Sequence, residues 1–235
     1  MSSPTAPPPT APLPWLLLLL SVTTGLVDAT SVLGLGKVFT ANMTGNIVFL
    51  GFAVARTPGF STGPALAALA TFMLGALLAG RLGRVRSGGS LRRWLMTAAA
   101  VEGLLLWSAA AIAVGFDVPT QAPGWKVYAI IALTAIAMGF RNATIRQLKV
   151  PDLTTTVLTL TLTGIAADSS LAGGANPNLA RRVGSVSAIF LGAVIGALLV
   201  NATGLVLPLV LAGALVVLGT LACAMHPGSA QPLAN

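Results

Sequence analysis

The sequence has few of the side chains on which water-soluble proteins and most enzymes depend. Only 8% of its 235 residues are charged, whereas a soluble domain carries roughly 25%. The single cysteine, Cys223, excludes an internal disulfide, and the single histidine, His226, leaves no material for metal clusters or for cysteine–histidine and serine–histidine catalysis. We therefore expect a protein that is not an enzyme, needs no cofactor or metal, and cannot fold as a soluble globule.

Long hydrophobic runs take the place of the missing charges. Hydrophobic residues make up 55% of the chain, and several runs approach the roughly 20 apolar residues that cross a hydrocarbon core about 30 Å thick. We read eight hydrophobic segments, at residues 15–35, 38–55, 63–82, 94–115, 125–148, 153–168, 183–201 and 203–223. The pattern predicts an all-α, multi-pass protein of the cell membrane, with a disordered N-terminal tail at 1–14, a membrane domain at 15–225 and a C-terminal tail at 226–235.

The basic residues predict membrane topology rather than a nucleic-acid partner. The formal charge is +8, from 13 Lys and Arg against 5 Asp and Glu, and no surface that combines basic with aromatic residues accompanies it. Short cytoplasmic loops of membrane proteins are enriched in Lys and Arg. The best candidate for such a loop holds five arginines, Arg81, Arg84, Arg86, Arg92 and Arg93. The expected partner is therefore the lipid bilayer, and no nucleic acid.

The sequence contains an internal repeat. Residues 24–30, Thr-Gly-Leu-Val-Asp-Ala-Thr, align with residues 138–144, Met-Gly-Phe-Arg-Asn-Ala-Thr, at an offset of 114. Further along each half, small residues recur at every fourth position, which lets membrane helices approach closely. These residues are Ala67, Thr71, Gly75, Ala79 and Gly83 in one half, and Gly184, Ala188, Gly192 and Gly196 in the other. We therefore define repeat one as 15–115 and repeat two as 125–225, and we expect the two rows to be packing faces.

The repeat is compatible with two topologies. If six segments span the membrane, and segments 38–55 and 153–168 are short and broken or re-entrant, each half crosses three times and the repeat is inverted, as in many transporters. If all eight segments span, the two halves are parallel. The six-span arrangement keeps Arg181 and Arg182 on the cytoplasmic side, whereas the eight-span alternative moves them outside. The distribution of basic residues therefore favours six spans.

Three motifs resemble those of a known family. They are Gly-Leu-Val-Asp-Ala at 25–29, Ala-Asn-Met-Thr-Gly-Asn at 41–46 and Val-Pro-Asp-Leu-Thr-Thr-Thr-Val-Leu-Thr at 150–159. On these motifs the chain resembles the YoaK family of small bacterial membrane proteins, from Trp15 to about Met225. The family is classed under a domain of unknown function. The resemblance therefore implies a membrane location and supplies no catalytic residue.

Three ionisable residues interrupt the hydrophobic segments. A charge at membrane depth costs at least about 2.5–3.5 kcal/mol, so Asp28, Glu102 and Arg141 are expected to face the bundle interior or a water-filled cavity. Asp28 and Arg141 occupy nearly equivalent repeat positions, and we expect them to form a buried ion pair that either orients two helices or serves a solute pathway. Glu102 is expected to be neutral and hydrogen-bonded, or to exchange protons during transport.

Polar residues also mark the second segment of each repeat. The candidates are Asn42, Thr44 and Asn46 around Gly45 in repeat one and, in repeat two, Asn142, the counterpart of Asp28, with the helix-face stripe Thr155, Thr159 and Thr163. The first group predicts either a polar-solute site at a broken helix or a tight turn between helices. The threonine stripe predicts either a pore lining or a packing face, because threonine hydroxyls often bond to carbonyls of their own helix.

Two functions of different classes remain open. The first is a small-solute or ion transporter or channel, whose path lies between the two repeats and is lined by these polar residues. The second is a non-transporting scaffold or partner-binding subunit, in which the small-residue faces serve assembly, a homo-oligomer included. An intramembrane enzyme that uses Asp28 and Glu102 is the weakest interpretation, because no nucleophile-base set or cofactor motif accompanies the two carboxylates.

Overall fold

The chain forms a bundle of long helices. The computed structural model describes residues 12–85, 90–148, 158–226 and 229. In these ranges lie eight α-helices: α1 (Pro12–Gly34), α2 (Met43–Val54), α3 (Thr62–Val85), α4 (Leu91–Ala113), α5 (Gly124–Leu148), α6 (Leu158–Ala167), α7 (Leu179–Thr203) and α8 (Val206–Met225). A short 3-10 turn, Ser170–Ala172, lies between α6 and α7.

Six of these helices are long and apolar enough to cross a membrane, and two are too short. The six candidate spans, α1, α3, α4, α5, α7 and α8, have 20 to 25 residues, whereas α2 has 12 and α6 has 10. At 1.5 Å per residue, α2 and α6 reach only about 15–18 Å, roughly half of the hydrocarbon core. The predicted all-α arrangement of six spans and two short segments is confirmed for the part of the chain that the structure describes.

The helix boundaries differ from the prediction at several ends, and α2, for example, begins at Met43 where residue 38 was predicted. α1 includes Pro12, Leu13 and Pro14, so the last three residues of the predicted tail are helical, and proline is tolerated in the first turn of a helix. α6 begins at Leu158, and residues 153–157 of the predicted segment lie outside the described residues. Residues 1–11 also lie outside them, as does all of the C-terminal tail except His226 and Ser229.

Close contacts at glycines fix the relative directions of the helices. Three pairs join α1 to α7 in the same order along both helices, Leu18 with Gly184, Val22 with Gly192 and Leu26 with Gly196. Three pairs join α3 to α5 in the same manner, Gly63 with Tyr128, Gly75 with Ile136 and Gly83 with Gln147. Each of these two helix pairs therefore runs parallel.

The other helix pairs run antiparallel. On α4 and α8, Gly103 faces Val217, while the indole Nε1 of Trp107 donates to the Val210 carbonyl at 3.3 Å. The pairs α1–α8 and α4–α5 meet in the same reversed order. It follows that α1, α4 and α7 run in one direction and α3, α5 and α8 in the other. The first helix of repeat one is thus opposite in direction to the first helix of repeat two, as an inverted repeat requires.

One end of the bundle carries most of the basic residues. The C-termini of α3 and α5 meet the N-termini of α4 and α7 there, and we call it the Arg-rich end. Its described basic residues are Arg81, Arg84, Arg92, Arg93, Arg146, Arg181 and Arg182. The opposite end carries Lys37, Arg56 and Lys126. By the positive-inside rule, the Arg-rich end is the cytoplasmic one.

Equivalent glycines make equivalent contacts in the two halves. Gly25 of α1 contacts Ile189 of α7, and its equivalent Gly139 of α5 contacts Phe72 of α3. In the same way, Gly192 of α7 contacts Val22 of α1, and its equivalent Gly75 of α3 contacts Ile136 of α5. A Cβ atom on any of these four glycines would overlap the facing carbonyl oxygen, so the helices are as close as a missing side chain allows. Ala79 and Ala188 of the same rows are buried as well. The two small-residue rows are therefore packing faces, as predicted.

Candidate functional site

A buried ion pair lies near the centre of the bundle. Nη2 of Arg141 on α5 donates to Oε1 of Glu102 on α4, and the two side chains are 2% and 4% exposed. Nη1 of the same guanidinium donates to the Leu20 carbonyl and to the Thr24 hydroxyl of α1, each at 3.0 Å. One arginine therefore connects three helices and both repeats.

The carboxylate partner of Arg141 is Glu102, so the predicted ion pair between Arg141 and Asp28 is wrong. The repeat places Asp28 opposite Asn142, one residue beyond Arg141. Successive residues of an α-helix point about 100° apart, so the two positions face different neighbours. Arg141 faces α1 and α4, whereas Asp28 faces the chain that follows α1.

Asp28 holds a loop inside the bundle. Its Oδ1 accepts the backbone N–H of Thr40 at 3.2 Å and that of Ala41 at 2.8 Å. Asp28 lies six residues before the end of α1 at Gly34, which is about 9 Å along the helix axis. The chain that leaves α1 therefore turns back to that depth before α2 begins at Met43. This makes α2 a re-entrant helix, with its electropositive N-terminus close to the Asp28 carboxylate.

Asn46 closes the same re-entrant turn. Its fully buried amide accepts the N–H of Phe39 at 2.9 Å and donates to the carbonyl of Phe39 at 2.6 Å. Non-helical backbone at membrane depth is tolerated where its polar groups are satisfied within the protein. Asn46 and Asp28 satisfy backbone groups between residues 39 and 41, so both side chains act in holding the turn.

A small cavity ends at the central ion pair. It has a volume of about 20 Å³ and lies between α1, α4, α5 and α8, in the half of the bundle toward the Arg-rich end. Its walls are largely aliphatic, and its polar members are Glu102, Arg141, Thr144 and Thr220. Nε of Arg141 and Oγ1 of Thr144 are buried and have no hydrogen-bond partner among the described residues. The cavity therefore offers unused hydrogen-bonding capacity beside a charge pair.

The remaining predicted site residues lie outside this cavity. Four of them are exposed at the start of α2 or on α6, namely Asn42, Thr44, Thr159 and Thr163. Asn142 is half-buried on α5, and Thr155 lies outside the described residues. The structure therefore does not bring together the residues of the predicted solute path on the two short segments. Of the predicted residues, the cavity unites Glu102 with Arg141.

The sequence analysis missed three threonines of the site. Thr24 accepts a hydrogen bond from Arg141, and Thr144 and Thr220 line the cavity. Thr24 and Thr144 stand at the two ends of the repeated motif, which was the available signal. A hydroxyl in a membrane helix is a weak indicator, because it often bonds to its own helix, as Thr24 does to the Leu20 carbonyl at 2.9 Å.

The short helices of the two repeats are attached by different chemistry. In repeat two, Nη1 of Arg182 on α7 donates to the Gly164 carbonyl of α6 at 2.6 Å and to Oδ2 of Asp168 at 2.7 Å. The Asp168 side chain is 45% exposed and that of Arg182 is 11% exposed, so the pair joins a buried arginine to a partly hydrated aspartate. In repeat one, the region of α2 is held by an aromatic cluster with ring centroids 5.2 to 6.3 Å apart, Phe39, Phe49, Phe52 and Phe60.

The fold and this site define a multi-pass helical membrane protein that has two inverted halves and two short helices. A buried ion pair joins the two halves. The chain belongs to the family described as protein of unknown function (DUF1275), which it matches over residues 16–222. It is 34% identical over 156 residues to the UPF0700 transmembrane protein YoaK of Bacillus subtilis (strain 168), and the match covers 66% of each chain. No solved structure matches it. The predicted membership of the YoaK family and the multi-pass membrane location are confirmed.

Proposed function

We propose that the protein is a small-solute transporter that works by alternating access, and that it is neither an enzyme nor a static scaffold. Inverted repeats, short re-entrant helices and polar groups at mid-depth are common features of secondary transporters. The observation that carries the proposal is a difference between two equivalent regions. One contains the cavity beside Arg141 and Glu102, and the other is its counterpart in the opposite half of the bundle.

The repeat gives each residue of the cavity a counterpart. α1 and α5 are related by the offset of 114 already seen in the sequence. α4 and α8 are related by an offset of 110, which pairs Gly103 with Gly213 and Trp107 with Val217. Gly103 contacts Val217, and the equivalent contact, between Gly213 and Trp107, is also present. The counterparts of Arg141 and Glu102 under these offsets are apolar.

The counterpart region is closely packed. Six of its residues are each no more than 2% exposed, namely Val27, Thr30, Ser31, Ile130, Leu209 and Ala212. They replace Arg141, Thr144, Ile145, Leu16, Ala99 and Glu102 of the cavity, in that order. Both regions are thus buried, since the six cavity residues are themselves 2–6% exposed, and the region beside Arg141 and Glu102 contains a cavity of about 20 Å³. That is the asymmetry expected of one state in an alternating-access cycle.

The end of the bundle beyond this packed region is covered by the loop between α4 and α5. Nε2 of Gln121 donates to the carbonyls of Gly34 and Val118, each at 2.9 Å, and Nζ of Lys126 donates to the Val114 carbonyl at 2.6 Å. The bond from Gln121 to Gly34 ties the end of α1 to this loop, and the other two hold the loop against itself and the end of α4 against the start of α5. Closure at this end supports a state whose solute access is from the Arg-rich end.

The alternate state follows by exchanging the conformations of the two repeats. The region around Val27 and Thr30 opens, and the cavity around Arg141 and Thr144 closes. The parallel pairs α1–α7 and α3–α5 keep their close glycine contacts and move as units. A solute bound at mid-depth meets the Arg141–Glu102 pair from either side, since that pair lies near the centre of the spans.

Single cysteines test the two states directly. In a Cys223→Ala background, which removes the one native thiol, Thr144→Cys and Thr30→Cys place equivalent probes in the cavity and in its counterpart. Both positions are buried in this state, so we expect membrane-impermeant thiol reagents to modify Thr144→Cys from the Arg-rich side, and Thr30→Cys from the opposite side, as each region opens in the transport cycle. Ala135→Cys is the matched control, because Ala135 is fully buried outside both regions and should stay unreactive.

Trapping and flux measurements complete the test. Modifying one cysteine with a bulky reagent should protect the other in the double mutant, because the two regions are not open together. Proteoliposomes supplied with a panel of labelled metabolites and ions should accumulate at least one of them. Thr30→Cys that never reacts, together with no flux across the panel, would overturn the proposal in favour of a scaffold, whose partners cross-linking would then recover.

A further inference from the structure

We infer that Glu102 and the cavity beside it form a proton-binding site, and that a proton is the ion coupled to transport. The coupling role rests on the proposed function, whereas the proton site rests on the cavity, its unpartnered polar atoms and its charges. In the counterpart region Val27 and Ala212 replace Arg141 and Glu102, and neither of these two side chains can bind a proton.

The cavity has room for one water molecule and little more. Its volume is about 20 Å³, and a site needs roughly 10–15 Å³ and two to four polar partners to hold a water. Nε–H of Arg141 and the hydroxyl of Thr144 supply two partners, and neither has a hydrogen-bond partner among the described residues. Thr220 and Glu102 line the same space. A water in this position satisfies both buried groups and lies where it can exchange a proton with Glu102.

Glu102 is the residue in the cavity lining that can change its charge. An arginine guanidinium stays protonated in proteins, and a threonine hydroxyl stays neutral. Glu102 is also the one carboxylic acid among the lining residues, which include no histidine or cysteine. A metal cation bound by Glu102 would lie beside the positively charged guanidinium of Arg141, and the cavity lining has no second carboxylate to bind it. The described part of the chain contains no cluster of three or more His, Cys, Asp or Glu. The site therefore suits a proton and not a metal ion.

Few other charges surround Glu102. From α5 it faces Arg141, its direct partner, and α8 carries no charged residue. α1 carries Asp28, whose Oδ1 is already engaged by two backbone N–H groups of the re-entrant turn. The remaining charged residues of α4 and α5 lie near helix ends, namely Arg92, Arg93, Lys126 and Arg146. The charge state of Glu102 is thus set by its burial, by its one charged partner and by the cavity water.

Protonation changes what holds α4 to α5. A proton from the solution at the Arg-rich end is relayed through the cavity water, which gives one proton to the Glu102 carboxylate and takes up another; this converts the ion pair into a hydrogen bond between Arg141 and a neutral acid. Arg141 keeps its hydrogen bonds to Leu20 and Thr24 of α1. The α4–α5 contact therefore loses an attraction that the α1–Arg141 contact retains, which biases the bundle toward a different arrangement of α4.

Infrared spectroscopy of the purified full-length protein in lipid nanodiscs tests the proton site without any solute. Between about pH 4 and 9, the range in which perturbed glutamates titrate, the difference spectrum should contain the C=O band of a protonated carboxylic acid, shifted in D₂O. Because Asp28 is a second carboxyl at membrane depth, the comparison is made in an Asp28→Asn background, where we expect the band to remain while Glu102 is present and to disappear in Glu102→Gln. A band that survives Glu102→Gln in this background, or a spectrum without one while Glu102 is present, would overturn the proton site.

Thr144→Val is a second variant, and it keeps Glu102 in place. It removes one hydrogen-bonding partner of the cavity water, so hydrogen–deuterium exchange at the acid should slow several-fold while the band persists. Unchanged exchange would show that the proton does not enter through this cavity, and the inference would fail. This variant decides the matter even where Glu102→Gln does not fold, as judged by circular dichroism and gel filtration.

The coupling role has its own readout. Where proteoliposomes show solute flux, a proton gradient should change the rate several-fold in the wild type and leave Glu102→Gln unaffected. Flux that keeps its response to the gradient in Glu102→Gln would overturn the coupling. Absence of any flux would overturn the proposed transport function, while the infrared band, measured without solute, would still establish the proton site.

Discussion

Two contacts occupy equivalent places in the bundle and use opposite chemistry. Where α4 meets α5, the positions are filled by Glu102 and Arg141, and where α8 meets α1, the counterparts are Ala212 and Val27. All four residues are buried, with no more than 3% of their surface exposed. The helices around them pack through matched glycine contacts in both halves. The same architecture therefore exists with an ion pair on one side and with aliphatic residues on the other.

The aliphatic version shows that the fold does not need the ion pair. Replacing a buried ion pair with apolar residues of similar size is often neutral or stabilising, because desolvating two charges offsets most of their attraction. An ion pair at only one of two equivalent positions thus indicates a role other than stability. Its cavity and its unpartnered hydrogen-bonding groups lie on the same side.

The largest effect should come from breaking the ion pair on one side only. Glu102→Ala leaves the Arg141 charge buried without its partner, so we expect a loss of about 3–5 kcal/mol in the free energy of unfolding. The double variant Glu102→Ala/Arg141→Val copies the pair found at Ala212 and Val27, and it should recover most of that loss. Thermal unfolding in detergent measures both. If the double variant is as unstable as the single one, the two contacts are not equivalent.

A smaller effect is expected at the re-entrant turn of repeat one. Asp28→Ala removes the acceptor for the N–H groups of Thr40 and Ala41, and we expect a total loss of about 1–3 kcal/mol because Asn46 still holds the turn. Asp28→Asn keeps one acceptor oxygen and serves as the matched control, with a smaller loss. Protease sensitivity between α1 and α2 should rise in Asp28→Ala. Unchanged stability and cleavage would mean that Asp28 does not hold the turn.

The glycine contacts should respond alike in both halves. Gly192→Ala and Gly75→Ala each place a Cβ against a facing carbonyl oxygen, so each should cost about 1–3 kcal/mol of overpacking. Gly80→Ala on α3 is the control, because an added Cβ there meets no atom within 4 Å. Comparing thermal midpoints of the three variants tests the symmetry. A large loss in one half alone would argue against it.

The smallest effect is expected at the ion pair between α6 and α7. Asp168→Asn removes the charge that Arg182 meets at 2.7 Å, but the aspartate side chain is 45% exposed. Such pairs contribute about 0–1 kcal/mol, and they weaken in salt. We expect a shift in the thermal midpoint that is near the limit of detection at high salt. A loss comparable to that of Glu102→Ala would mean that this pair is far less hydrated than its exposure indicates.

The sequence predicted the membrane architecture well because hydrophobic length is a direct physical requirement of the bilayer. Six long helices, two short ones and the packing faces of Gly75 and Gly192 all followed from apolar runs and from small residues at helical spacing. The position of basic residues favoured the arrangement with six spans over that with eight. These features depend on composition along the chain and need no knowledge of which helices meet.

The site was predicted less well because its geometry depends on which helix faces which. The repeat suggested that Asp28 would meet Arg141, but one residue of register separates the two positions and turns them to different neighbours. The true partner, Glu102, lies on a helix outside the repeated motif. The stripe of Thr159 and Thr163 was expected inside the bundle, and both are exposed while Thr161 between them is buried.

The parallel pairing of α1 with α7 has a consequence for biosynthesis. The ribosome completes α1 at Gly34, and its partner begins only at Leu179. At about 5–20 residues per second, α1 waits in the membrane for roughly ten to thirty seconds before that partner is made. The hydroxyls on α1 bond to carbonyls of their own helix, as Ser21 does to Leu17 at 3.0 Å, and so need no neighbour in the meantime.

The Asp28 carboxylate also needs no later helix for its hydrogen bonds. Its backbone partners, Thr40 and Ala41, follow it by only 12 and 13 residues, so the carboxylate finds them soon after insertion. The face that includes Gly25 stays exposed to lipid until α7 arrives. Neither half can therefore mature alone. During most of the synthesis of this protein, α1 is therefore not yet paired with α7. The assembly factors and proteases of the membrane encounter it in that state.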